Sequence, residues 1–170
     1  MAYKDPAYMI FDGDKDQWAY RYMRGWKVSE HLDFDFRDAH DLTAMTARAE
    51  NEAYVKSQLR ERVDKAKQVI VIVGESTKNL RKFVAWEIDL AKEKGLPIIV
   101  VNLKSGQRQM DFDLCPASLR DHCAVHVEFK MKIIQYALDN WPSEYAGLSA
   151  PVRAEGARIY NDNVYKSLGL

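Results

Sequence analysis

Three stretches of the chain are aliphatic almost without interruption: Tyr8 to Phe11, Val69 to Val73 and Ile98 to Leu103. Continuous runs of this kind, bounded by turn-forming residues, predict strands buried on both faces of a parallel sheet, because helices cover both sides. Gly95 and Pro97 end the helical pattern before the third run and open the strand. A weaker strand is predicted at Phe34 to Phe36. The segment Ala124 to Phe129 alternates, with Val125, Val127 and Phe129 inward and His126 and Glu128 outward, as a half-exposed edge strand would. Helical patterns fall between these runs, at Gln17 to Trp26, Asn51 to Lys67, Leu80 to Lys94 and Met131 to Trp141, while Asp113 to His122 is shorter and loop-like.

This alternation predicts an α/β architecture, a doubly wound sheet of about five mainly parallel strands flanked by helices. Ligands of such sheets bind beyond the carboxyl ends of the strands, which directs attention to the loops after Phe11, Phe36, Val73 and Leu103. Beyond Pro142 the pattern turns irregular, with Gly147, Pro151 and Gly156. We therefore expect one domain over residues 1–145 and a tail over residues 146–170 that carries Tyr160 and Tyr165.

Composition narrows the function. Hydrophobic residues make up 47% of the 170 residues and charged residues 29%, as in an ordinary globular protein. Lys and Arg total 25 and so do Asp and Glu, so no basic surplus exists to neutralise a phosphate backbone or an anionic membrane. Nucleic acid and membrane are thus not expected partners. The first residues show no charged segment followed by an apolar one, and no aliphatic run is long enough to span a bilayer, so the expected location is the cytoplasm. Cys115 and Cys123 form no CxxC pair and no His or Cys cluster has zinc spacing; they are expected to be reduced structural thiols, and no metal is expected.

The helix from Leu80 breaks its own rule. At about 3.6 residues per turn, Leu80, Phe83, Val84, Ile88, Leu90 and Ala91 share one face, and Glu87 projects from the middle of that stripe. A carboxylate there must be hydrogen-bonded or paired, or line a cavity. Pairing with a basic residue such as Lys94, or a position near water at the helix end, would account for it; so would an active-site role. Just before this helix, Gly74, Glu75, Ser76 and Thr77 follow a central strand. Ser76 or Thr77 could bond a ribose or phosphate, or simply cap the helix; the stretch lacks the glycine spacing and Gly-Lys pair of a Walker loop.

The acidic turn Asp12 to Asp16 fits neither a calcium loop, since Gln17 and Met23 stand where Gly and Glu belong, nor fully a phosphatase of the haloacid-dehalogenase type, which needs a later acidic pair where Asn102, Leu103 and Lys104 stand. The loop after the second strand, with Arg37, Asp38, Ala39, His40 and Asp41, is long and polar, as lids and recognition loops are.

Taken together, Phe34-Asp35-Phe36-Arg37-Asp38-Ala39-His40-Asp41, Val69 to Thr77, Phe83-Val84-Ala85-Trp86-Glu87-Ile88 and Pro97 to Val101 resemble the TIR-like proteins of bacterial antiphage defence, the group that includes the TIR component of Thoeris systems. The likeness runs from about Met9 to Trp141, and the Trp-Glu-Ile triplet is its most specific element. It implies a flavodoxin-like sheet, NAD as substrate with no cofactor required, and Glu87 as the catalytic carboxylate of an enzyme that breaks the bond between nicotinamide and ribose. It further implies nucleotide contacts at Phe11, Asp12, Phe36, Asp38, Ser76, Phe83 and Trp86, a homo-oligomer whose subunits meet at the Asp38 loop, and an effector protein reached through a diffusible ADP-ribose-derived signal. Two departures stand out: Phe83 occupies the aromatic position that usually holds Trp, and the acidic turn replaces the common Ser-Tyr or Ser-Phe after the first strand. The alternative is a non-enzymatic interaction or nucleotide-sensing module on the same sheet.

Overall fold

Aliphatic side chains on both sides of a strand need cover on both sides, and the fold supplies it. The computed structural model describes residues 6–29, 36–38, 52–79 and 83–170. Its strands are β1 (Ala7–Ile10), β2 (Phe36–Asp38), β3 (Gln68–Val73), β4 (Ile98–Asn102), β5 (Ala124–Glu128) and the two-residue β6 (Arg158–Ile159). All pair in parallel in the order β2-β1-β3-β4-β5-β6. The helices are α1 (Gln17–Ser29), α2 (Glu52–Asp64), α3 (Phe83–Glu93), α4 (Ala117–Arg120), α5 (Met131–Gly147), α6 (Ala150–Arg153) and α7 (Asp162–Ser167).

Alternate strand residues feed two cores. Met9, Ile70, Ile72, Ile99 and Val101 pack with Met23 of α1 and Ile133, Ile134 and Leu138 of α5. Tyr8, Val69, Val71, Ile98 and Val100 pack on the other face with Val63 of α2, Ile88, Leu90 and Ala91 of α3 and Leu119 of α4. Each such aliphatic side chain, fully buried, stabilises the fold by about 1.5–3 kcal/mol. Because α1 covers one face and α2 and α3 the other, the crossovers diverge at β1 and β3, and a crevice opens at their carboxyl ends. Gly95 closes α3 with φ 65°: its N–H bonds Lys92 O at 2.9 Å and the Leu96 N–H bonds Ala91 O at 3.0 Å, a left-handed helix end that favours glycine.

The elements differ from the sequence reading in three places. The described part of β2 is Phe36–Asp38, which runs past the expected end at Phe36, and Phe34, Asp35, His40 and Asp41 lie outside the described residues. The described part of α3 runs from Phe83, after a 3-10 turn at Thr77–Asn79; residues 80–82, which the sequence reading includes in this helix, lie outside the described residues. Helix α5 runs through Pro142 to Gly147, because Tyr145 is buried beside Trp141, with ring centroids 5.8 Å apart, and tertiary packing outweighs the lost backbone bond. Strand β5 is no edge: β6 pairs with it, and His126 and Glu128, expected outward, are buried.

The last residues belong to this packing. Tyr165 of α7 is 1% exposed, and Leu168 and Leu170 lie against the α1–α5 core. The Arg108 guanidinium stacks 3.9 Å above the Tyr165 ring and makes ion pairs of 3.4 Å with both Glu128 and Asp162, tying α7 to the loop after β4. Cys115 and Cys123 are free and buried, and burial pushes the Cys115 thiol up to about 11. No described helix is long and apolar enough to cross a membrane.

Candidate functional site

The stripe that α3 turns toward the sheet consists of Glu87, Ile88, Leu90 and Ala91, all buried. Glu87, 5% exposed, is therefore a carboxylate buried on the face of α3 that packs toward β1. The Tyr8 hydroxyl donates a hydrogen bond to Glu87 Oε1. A hydroxyl on a carboxylate is a charge-assisted bond, the kind that offsets part of the cost of burying charge. Lys94, a candidate partner by sequence, pairs instead with Asp64 of α2. Phe83 lies one turn before Glu87 and is half-buried, as is Trp86, whose ring has the Lys56 ammonium 5.8 Å from its centroid.

A second cluster ties the end of β1 to the end of β3. Asp12, 4% exposed, accepts from the backbone N–H of Asp14 at 2.9 Å and of Lys15 at 3.3 Å, and from Ser76 Oγ at 2.5 Å. Asp16, 5% exposed, accepts from Thr77 Oγ1 at 3.2 Å, and Thr77 Oγ1 in turn accepts from the Gly74 N–H at 2.8 Å. The Ser76 and Thr77 hydroxyls thus pin two loops together. Burial pushes Asp12 up, but the Ser76 hydroxyl, the two amides and the Lys15 charge together outweigh it and hold the carboxyl below its ordinary range. Asp16 goes the other way: burial raises it, the Asp12 and Glu75 charges add to that, and the Thr77 bond only partly opposes. Gly74 is required by this contact, since a Cβ there would stand 2.5 Å from both Asp16 carboxylate oxygens.

Beside the pinned loops lies a crevice of about 840 Å³ whose walls include Trp18, Glu75, Ser76, Lys104 and Asp111. Of the residues expected to contact a nucleotide, Ser76 lines it; Glu87, Phe83 and Trp86 do not. Phe11, 2% exposed, stacks on Tyr20 at 4.9 Å inside the α1–α5 core. Phe36 and Asp38 stand in register with Ala7 and Met9, and their side chains lie outside the described residues. Among the described residues no group of three or more His, Cys, Asp and Glu is arranged to hold a metal ion.

Tyr8, Asp16, Gly74 and Trp18 escaped the sequence reading as site residues. Only Tyr8 carries a usable signal, a side chain with a polar tip opening an otherwise aliphatic strand, which when buried needs a partner.

One comparison bears on this arrangement. The family model described as Thoeris protein ThsB, TIR-like domain, matches residues 8–108, which runs from Tyr8 through the pinned loops and Glu87 to the loop after β4.

Proposed function

The chain belongs to the TIR-like domain family of the Thoeris protein ThsB, a family of antiphage defence, and from that premise we propose that it cleaves NAD between nicotinamide and ribose, with Glu87 as the catalytic carboxylate. The observation that carries this reading is the placement of Glu87: 5% exposed, on the buried face of α3, with Oε1 held by the Tyr8 hydroxyl. A carboxylate that only closed a helix surface would not need such a site.

In the reaction the C–N glycosidic bond breaks, both bonding electrons leave with nicotinamide, and the cationic ring departs neutral. No proton need be donated to the leaving group. Positive charge develops at the ribose, and a fixed, buried carboxylate stabilises it more strongly than water would. Attack by water, which releases its proton to solvent, yields linear ADP-ribose; attack by a nucleophile of the same molecule yields a cyclic product. Either serves as a diffusible signal to an effector protein, and self-association of the chain would place it among enzymes switched on by assembly.

The test is nicotinamide release from NAD by the purified protein, alone and with lysate of phage-infected cells. Wild-type protein should release nicotinamide and Glu87→Gln should not; equal release by both removes Glu87 from the mechanism. One observation favours a second reading, a nucleotide sensor without turnover: the crevice beside the pinned loops does not include Glu87. Calorimetric binding of NAD with no nicotinamide released under either condition would select the sensor.

A further inference from the structure

The β4 side of the crevice is a loop, and that loop is braced from behind. Leu103, Lys104, Asp111, Asp113 and Leu114 line the cavity. Two of the braces are local: Asn102 Nδ2, at the end of β4, donates to Gln109 O at 3.2 Å, and the Arg120 guanidinium of α4 lies 4.8 Å from the centre of the Phe112 ring. The third is Arg108, which does not line the cavity. Its guanidinium turns instead to Glu128 of β5 and to Asp162 and Tyr165 of α7. The Asp162 side chain is 82% exposed, and an ion pair so open to water contributes little. The buried Tyr165 ring is the stronger hold, because a cation stacked on a desolvated aromatic face is screened little.

Helix α7 needs this contact as much as the loop does. Its six residues are too few to hold a helix in water by their own hydrogen bonds. It is kept in place by the buried Tyr165 ring, on which Arg108 rests, by Leu168 and Leu170 against the core, and by Lys132 Nζ, which donates to Leu168 O at 2.9 Å. Elements secured by so few buried groups open first, well below the free energy of global unfolding. When two elements share one contact, each stabilises the docked state of the other by the same factor.

We propose that α7 is a latch for the crevice: docked, it holds Arg108 and fixes residues 103–114 as a wall; undocked, it releases that wall. Arg108 is a positioning residue, acting on the cavity through the loop that carries it. The latch does not depend on what the crevice binds or on the role of Glu87, because it rests on contacts outside both. It makes the C-terminal segment, which lies beyond the stretch matched by the family model, a control element for a site built mostly within that stretch.

The experiment is amide hydrogen exchange, read residue by residue by NMR, on the full chain and on Arg108→Met, Tyr165→Leu and the double variant. Arg108→Met keeps an aliphatic stem and removes the cation; Tyr165→Leu keeps an apolar side chain in the buried position and removes the ring face. Each single variant should speed exchange about 10-fold at the loop amides of Gln107 and Leu114, the effect of losing one cation–aromatic contact. In Arg108→Met the Leu168 amide of α7 should speed up with them. Amides of β1 and β3 should not follow, which separates release of the latch from a general loss of stability. Adding Tyr165→Leu to Arg108→Met should speed the loop little further, since both changes remove the same contact. If Tyr165→Leu does not fold, Arg108→Met decides alone. Loop exchange unchanged in Arg108→Met, loop and β3 amides accelerated in equal proportion in it, or a full further acceleration of the loop in the double variant would each overturn the proposal.

Discussion

Acid should unfold this protein through His126. The imidazole is 0% exposed, in β5 between Val100 of β4 and Ile159 of β6, and neither ring nitrogen has a hydrogen-bond partner. Burial alone pushes its pKa from 6.5 down to about 4. Between those values the unfolded chain binds a proton that the folded chain refuses, so stability is intact above about pH 6.5 and falls as pH drops toward 4. A gap of that size is worth about 3 kcal/mol at full extent, a large part of the roughly 5–15 kcal/mol that holds a domain together. The assay is urea unfolding of wild type and His126→Leu across the window. Asp12, Asp16 and His122 also have shifted pKa values, but they are common to both proteins and cancel in the difference. The variant should lose about 3 kcal/mol less than wild type on acidification. At neutral pH it should match or exceed wild type, because two unpaired ring nitrogens are gone. Identical pH dependence in the two proteins would refute the reasoning.

Other outcomes follow from the site. Gly74→Ala drives a methyl group to 2.5 Å from the Asp16 carboxylate and should lower stability by about 1–3 kcal/mol, read from thermal or urea melts. Tyr8→Phe leaves Glu87 without one charge-assisted donor; we expect a loss of about 1.5–3 kcal/mol in unfolding free energy and slower nicotinamide release. Tyr165→Ala removes a ring that is 1% exposed and should cost about 3–5 kcal/mol in a urea titration.

What could be read from the sequence was what depends on neighbours along the chain. The aliphatic runs of β1, β3 and β4 announced themselves because both faces of each strand are covered. Glu87 stood out as a break in helical period, and it is buried as that break required. In β5 the period of two separated the faces correctly but could not say that the second face is buried; β6 and Arg108, both distant in sequence, lie against it. A two-residue strand such as β6 has no periodic signal at all. The hydroxyls that bond Glu87, Asp12 and Asp16, on Tyr8, Ser76 and Thr77, are 79, 64 and 61 residues away, so no local pattern reveals those bonds.

The clamp on Arg108 sets an order of events during synthesis. Its partner Asp162 lies 54 residues further along the chain. At roughly 5–20 residues per second a ribosome needs about 3 to 11 seconds to cover that distance. For that interval the residues of β1, β3 and β4 have already been synthesised, while the loop that walls the crevice has neither Asp162 nor the Tyr165 ring to hold Arg108. The contacts that anchor this wall of the crevice are thus the last of its parts to leave the ribosome.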